Sequence, residues 1–216
     1  MKINETKSNV MIFNFSRNYD FPPEFSFEDN QILECLNQSK LLGIHIRSDL
    51  KWSSNTESIY KKAMSKMWLI RRMKLLKLDS SLILDYYLKE IRPVTEFGVI
   101  VWNSGLTKYQ VGHLEKIQKV ALLIILGPDY KTYEHALTKV DLPRLSERRE
   151  QLCINFAVKL FKSTRRDDFF NLAKPTISLR KKGRIVHENL SRTQKCYLAP
   201  HNYIARLINQ NPHLVA

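Results

Sequence analysis

The sequence predicts an α+β protein: a small antiparallel β hairpin or sheet remnant, then a mainly α-helical bundle, then a basic tail. Three observations lead there. Residues 1–50 hold short apolar segments separated by proline- and turn-rich breaks. From residue 53 the apolar spacing lengthens to the period of a helix. The 216-residue chain carries a net charge of +14, yet its first fifty residues sum to −2, so the surplus lies beyond them. These shifts divide the chain into a β-rich segment (1–50), a helical bundle (51–165) and a basic, partly disordered tail (166–216).

Ser8 to Phe15 reads as a strand, with Val10 and Ile12 on one face and Met11 and Phe13 on the other. Asp20-Phe21-Pro22-Pro23 interrupts it, because proline cannot donate to a ladder. Phe25-Ser26-Phe27 and Gln31-Ile32-Leu33 flank Glu28-Asp29-Asn30, a hairpin turn. Leu41 to Ile46 is a further strand, with Gly43 marking a bulge or a close backbone approach.

Ser54 and Glu57 fit a capping box that opens the first helix. Ile59, Ala63, Met67, Ile70 and Met73 form its apolar stripe, with Trp68 and Leu69 at the edge. Lys61, Lys62, Lys66, Arg71, Arg72, Lys74 and Lys77 fill the rest over about 24 residues, roughly 36 Å. A second helix covers Ser80 to Arg92 from an Asp79/Ser80 cap, and Pro93 kinks or ends it. Ile91 to Trp102 is the longest nearly uncharged apolar run; it is too short to span a bilayer and belongs in the interior. Thr107 caps a third helix that Gly127-Pro128 stops at Leu126. Helices follow at Tyr133–Val140 and at Leu145–Phe161, the latter exposing Glu147, Arg148, Arg149 and Glu150. Pro175 to Lys195 reads as a mobile basic segment, and Tyr203 to Ile208 as a last short helix.

The 44% hydrophobic content suits a globular chain and argues against wholesale disorder. An isoelectric point near 9.7 favours polyanionic partners. Three widely spaced cysteines form no C-x-x-C pair, so neither a zinc site nor a disulfide framework is indicated, and an intracellular, cytoplasmic or nuclear setting is expected. No signal-peptide core or transmembrane run appears, so no membrane partner is expected.

Catalytic patterns come up short. The six histidines are scattered. His113-Leu114-Glu115 has the His-x-Glu of zinc deaminases without their Pro-Cys-x-x-Cys, so His113 reads as a helix-surface residue. The six glycines build no phosphate loop. Asp167-Asp168, next to Arg165-Arg166, reads as a solvated charge cluster. No metal site, cofactor or enzymatic activity is therefore expected. The basic features are stronger: Lys61, Lys62, Lys66, Arg71, Arg72 and Lys74 suit a phosphate backbone. Trp52, Trp68 and Trp102 are aromatic platforms on which bases could stack, although Trp68 and Trp102 read as core.

An ordered series of motifs over residues 2–165 resembles the reverse transcriptases of non-LTR (LINE-type) retrotransposons. It runs Asn4-x-x-Lys7-x-x-Val10-Met11-Ile12-Phe13, Lys40-Leu41-Leu42-Gly43-Ile44, Asp49-Leu50-Lys51-Trp52, then Ile91-Arg92-Pro93-x-x-Glu96-Phe97-Gly98-x-x-Val101-Trp102. It ends with Leu114-Glu115-x-Ile117-Gln118-x-x-Ala121 and Leu145-x-x-Arg148-Arg149-x-x-Leu152. The resemblance implies the end of a palm, a primer-grip-like hairpin at Leu42, Gly43 and Ile44, and a helical thumb that holds a template–primer duplex. The Tyr-x-Asp-Asp turn and the metal-binding carboxylates of that family are missing, as in a truncated copy, so polymerase chemistry is not expected.

Asn55 to Lys77 also resembles, more weakly, the N-terminal helical segment of AlkB-homologue tRNA-modifying proteins. That implies an accessory module, since neither a His-x-Asp…His iron triad nor a glycine-rich methyl-donor loop is present. The expected partners are an RNA or DNA duplex or single strand. The alternative is a helical interaction module with a protein partner, or self-association through the sheet edge.

Overall fold

The computed structural model describes residues 8–14, 25–26, 32–170, 172, 185–189, 191 and 193–215. The chain divides into two units, Met1–Asn55 and Thr56–Ala216. The architecture is α+β, with a few short strands followed by helices.

In the first unit, β1 (Asn9–Val10), β2 (Phe25–Ser26) and β3 (Ile32–Cys35) form a sheet in the order β1-β3-β2. β3 pairs antiparallel with β2, as the hairpin reading required. With β1 it pairs parallel, Asn9 opposite Glu34 and Val10 opposite Cys35, so the remnant is not purely antiparallel. The strand expected from Ser8 to Phe15 shortens to two residues. The turn at Glu28-Asp29-Asn30, the break at Asp20–Pro23 and Phe15 lie outside the described residues.

β4 (Gln38–Leu41) and β5 (Ile44–Arg47) make a separate antiparallel hairpin with Leu41 opposite Ile44. The single strand expected over Leu41–Ile46 is therefore two strands and a turn. Leu42 has φ 47° and Gly43 φ 89°. Positive φ at both positions is what a two-residue type I′ connection requires, and a leucine in the first of them conceals the turn from sequence patterns.

α1 spans Ser53–Leu75. It starts one residue before the expected Ser54 cap, and the Ser54 hydroxyl instead donates to Gln38 Oε1 at 3.0 Å. Ile59, Ala63, Met67 and Ile70 are buried as the stripe required. α2 (Ser80–Tyr86) begins under Asp79, whose carboxylate accepts from the Ser81 amide.

A π-helical turn, Tyr87–Ile91, then carries the chain into α3 (Arg92–Glu96). Its closing bond runs from the Arg92 amide to the Tyr87 carbonyl, five residues back. Pro93 would crowd the carbonyl four residues before it in a regular helix; the wider turn accommodates the ring, and the helix goes on to Glu96. Gly98 reverses direction with φ 60°, and α4 (Val99–Trp102) follows. Only Ile91, Thr95, Val99 and Trp102 of this run are buried, at helical spacing, while Phe97 is exposed. The run is thus one face of a broken helix rather than a wholly internal segment.

α5 (Lys108–Leu126) has the expected ends: a Thr107/Gln110 capping box and Gly127 at φ 55°. α6 (Tyr133–Val140) and α7 (Leu145–Phe161) also match their expected spans. α7 differs in phase. Its buried line is Leu145, Arg149, Cys153 and Ala157, so Arg149, expected outside, is fully enclosed, and Phe156 is exposed. α8 (Arg166–Phe169), α9 (Gln194–Leu198) and α10 (Pro200–Gln210) follow, with a 3-10 turn at Pro212–Leu214 after them. α10 buries Asn202, Ile204, Ala205, Leu207 and Ile208 and packs on α7, so the end of the expected tail belongs to the bundle. Most of Pro175–Lys195 lies outside the described residues.

A buried polar network ties the helices together. One oxygen of Glu115, on α5, accepts from the Leu145 amide at 2.9 Å and the other from the Ser146 amide at 3.0 Å. Both amides are in the first turn of α7, where a carboxylate satisfies orphan donors and the helix dipole together. The Tyr133 hydroxyl donates to the same carboxylate. Gln118, one turn on, accepts from the Tyr87 hydroxyl at 2.7 Å and donates to the Pro143 carbonyl at 2.9 Å. Glu96 Oε1 receives Arg148 Nε at 3.2 Å and lies 3.3 Å from Arg92 Nε. Arg149 Nε donates to Asn103 at 3.3 Å.

Replacing Glu115 with alanine strands two helix amides and a tyrosine hydroxyl. It is expected to cost about 3 kcal/mol, read as a lower urea midpoint at unchanged slope, with glutamine costing less. Burial also raises the Cys153 thiol to about 11 and the Tyr203 phenol to about 12. Tyr87 and Tyr133 are raised as well, first by burial. The unfolded chain releases these protons earlier than the folded one, so stability is full below about pH 8 and declines as pH rises toward the folded values. Urea midpoints between pH 8 and 10.5 should fall, and a flat profile contradicts the burial of this cluster.

Candidate nucleic-acid interface

Of the sequence-derived site residues, six sit on α1, two (Leu42 and Gly43) in the β4–β5 turn and one (Ile44) at the start of β5. α1 contains one acidic residue, Glu57, against six lysines and arginines. The structure sorts those cations into two groups.

Lys61, Lys62, Arg71 and Arg72 reach solvent. Lys61 is 3.5 Å from Glu57, a pair too exposed to hold it firmly. Lys61 and Arg72 are eleven residues apart, so they fall on almost the same line of the helix about 16 Å apart. Lys62 and Arg71 flank that line on opposite sides.

Lys66 and Lys74 are already engaged. The Lys66 ammonium donates to Glu90 Oε2 at 2.7 Å and to the Glu90 carbonyl at 3.0 Å. Lys74 donates to the Ile125 carbonyl at 2.6 Å, capping the C-terminal end of α5. Its methylene stem lies over Gly127, where a Cβ would stand 3.6 Å from Lys74 Cε. A lysine fixed on helix carbonyls works as a structural tie.

Trp68 departs from the expected core position. It is 60% exposed, whereas Trp52 and Trp102 are 6% and 0% exposed. The Trp102 indole donates to the Phe97 carbonyl at 3.0 Å. The helical wheel could have found this difference: at 3.6 residues per turn Trp68 stands about 140° from the middle of the Ile59–Ala63–Met67–Ile70 stripe. Its apolar character made it look internal; its angle puts it among Lys61, Arg71 and Arg72.

Leu42, Gly43 and Ile44 belong to the first unit and the cations to the second. Leu42 is 85% exposed at the tip of the hairpin. Ile44 is half-buried at the start of β5.

The other groups singled out in the sequence, His113, Asp167 and Asp168, are held in local contacts. His113 stacks on Tyr60, ring centroids 3.9 Å apart, with Tyr109 on the same ring at 5.9 Å. Its Nε2 lies 3.5 Å from Glu57. It joins α1 to α5 rather than standing free on a helix surface. Asp167 and Asp168 pair with Arg166 and Arg165. Among the described residues no group of three His, Cys, Asp or Glu side chains is placed to hold a metal. An open groove of about 370 Å³ between Pro93, Glu96–Ile100 and Leu152 offers one carboxylate, Glu96, already shared by two arginines. Among the described residues no helix is long and apolar enough to cross a membrane.

Neither a protein-family model, nor a curated protein, nor a solved structure matches this chain.

The two groups of cations differ in what they do for stability. Lys74→Met should lower stability by about 1 kcal/mol by releasing the α5 carbonyl end. Lys62→Met should leave it within about 0.5 kcal/mol. Thermal or urea unfolding of the two variants checks the contrast, and equal effects contradict the assignment.

Proposed function

We propose that this protein binds nucleic acid without catalysis, gripping a template–primer-like duplex by the outer face of α1. The observation that carries the reading is the row of Lys61, Lys62, Arg71 and Arg72, solvent-exposed on a helix whose only acid is Glu57. Cations strung over about 16 Å along one rigid rod meet several phosphates of a strand that rises about 3.4 Å per nucleotide. A surplus of +14 on the whole chain adds long-range attraction.

Descent from the thumb of a non-LTR reverse transcriptase is part of the same proposal. Its support is that the polar residues of the resembling motifs converge. Glu96, Arg148, Glu115 and Gln118 lie in the hydrogen-bonded network that joins α3, α5, α6 and α7. Residues in such positions specify a helical scaffold and not a reaction centre. With no Tyr-x-Asp-Asp carboxylates in the sequence, the chemistry proposed for this chain is binding alone. Primer-grip-like contacts by Leu42, Gly43 and Ile44 belong to this reading too.

A second reading, a helical interaction module of the kind implied by the AlkB-homologue resemblance, draws on a different feature. Leu75, Leu76 and Leu78 are 71%, 72% and 40% exposed where α1 ends, which suits a protein partner.

Fluorescence anisotropy of a labelled RNA–DNA hybrid separates the two. Affinity should fall by orders of magnitude between about 50 and 200 mM salt if several phosphates are neutralised. The Lys61→Glu/Lys62→Glu/Arg72→Glu variant should bind more weakly and with a shallower salt slope. Unchanged affinity in that variant removes the α1 face from the interface, and absence of binding at low salt favours the interaction module.

A further inference from the structure

We propose that Trp68 is a stacking platform for an unpaired base, so that this face of α1 takes the junction where a duplex passes into a single strand. The inference rests on the nucleic-acid reading of the same face and narrows its substrate.

Trp68 is 60% exposed in the middle of a helix whose opposite side is fully buried at Ala63, Met67 and Ile70. Its position on the rod is therefore fixed while its indole face is open. Its indole makes no hydrogen bond, ring stack or cation–π contact among the described residues. The chain's other tryptophans are enclosed, so neither can serve this purpose. An indole left in water on a rigid element is an unsatisfied apolar surface, and a base covers it well because every base has a π-face.

The charges around it choose the partner. Arg71 and Arg72 follow Trp68 by three and four residues, one turn along the same side of α1. Lys61 precedes it by two turns, about 10 Å along the axis. Cations on both sides of one exposed aromatic complement a chain that alternates bases with phosphates. An acidic or neutral protein surface would leave either the indole or the arginines unmatched.

A fully paired duplex presents phosphates and groove edges to such a face and keeps its bases stacked inside. Lys61, Lys62, Arg71 and Arg72 can then act, but Trp68 cannot. An unpaired nucleotide next to the duplex offers both features at once. Stacking on one aromatic is worth about ten- to a hundredfold in affinity.

The test compares a blunt RNA–DNA hybrid with the same hybrid carrying a five-nucleotide overhang, using the full chain and its Trp68→Ala and Trp68→Phe variants. The wild-type chain is expected to prefer the overhang by about tenfold or more. Trp68→Ala should abolish that preference while leaving blunt-duplex affinity and the salt slope unchanged. Trp68→Phe, which keeps an aromatic ring, should retain most of it. Because the side chain is exposed, none of these changes disturbs the core, and an unaltered urea midpoint verifies this. The proposal is overturned if the wild type binds both hybrids equally, if the preference survives Trp68→Ala, or if Trp68→Ala weakens both hybrids alike. In those three cases duplex binding itself still stands. A chain that binds neither hybrid at low salt overturns this inference together with the reading beneath it.

Discussion

The helical unit depends on one carboxylate. Glu115 reaches from α5 to the first turn of α7, satisfies two of its free amides and receives the Tyr133 hydroxyl of α6. Three helices are thereby fixed at a single buried point, and α7 in turn carries Arg148 to Glu96 of α3 and packs against α4 and α10. A buried anion is tolerable only because its lone pairs are met by amides, a hydroxyl and the positive end of a helix dipole. Gln118, Tyr87 and Pro143 extend the same network one turn further along α5. Apolar burial drives these helices together, while the polar contacts decide their order and angle.

This arrangement explains why the most distinctive residues of the sequence are not at its candidate interface. Glu96, Glu115, Gln118, Trp102 and Arg148, all members of the helical motifs singled out in the sequence, are each engaged inside the helical unit. The interface candidate is built from Lys61, Lys62, Arg71 and Arg72, exposed side chains of which Lys61 alone is placed near an acid, Glu57, among the described residues. In this protein the scaffold is written in specific polar contacts and the surface in charge and angle.

Much of the helical part was legible because its ends carry local chemistry. Asp79, Thr107 and Gly127-Pro128 each start or stop a helix through their own backbone and side-chain bonds, without help from distant residues. The phase of α7 was not legible. Arg149 sits on the buried line, and only the enclosing helices make its burial visible. The π turn before Pro93 and the leucine-led turn at Leu42-Gly43 share this character: each places a residue where its local preference is unfavourable. Trp68 differs from these: its angle on α1 is legible in the sequence and points outward, while its apolar character points inward. Lys66 and Lys74 could not be separated from the free cations, because Glu90 and the Ile125 carbonyl are distant in the chain.

Lys74 has a consequence beyond its own bond. By fastening the last turns of α1 to the end of α5, it holds the rod in place from its C-terminal side, as Lys66 does from the middle through Glu90. The outer face is thus ordered before any partner arrives. In the binding proposed for this face, association would spend conformational entropy on a few long side chains and none on folding a helix. A heat-capacity change from coupled folding is therefore not expected in such binding.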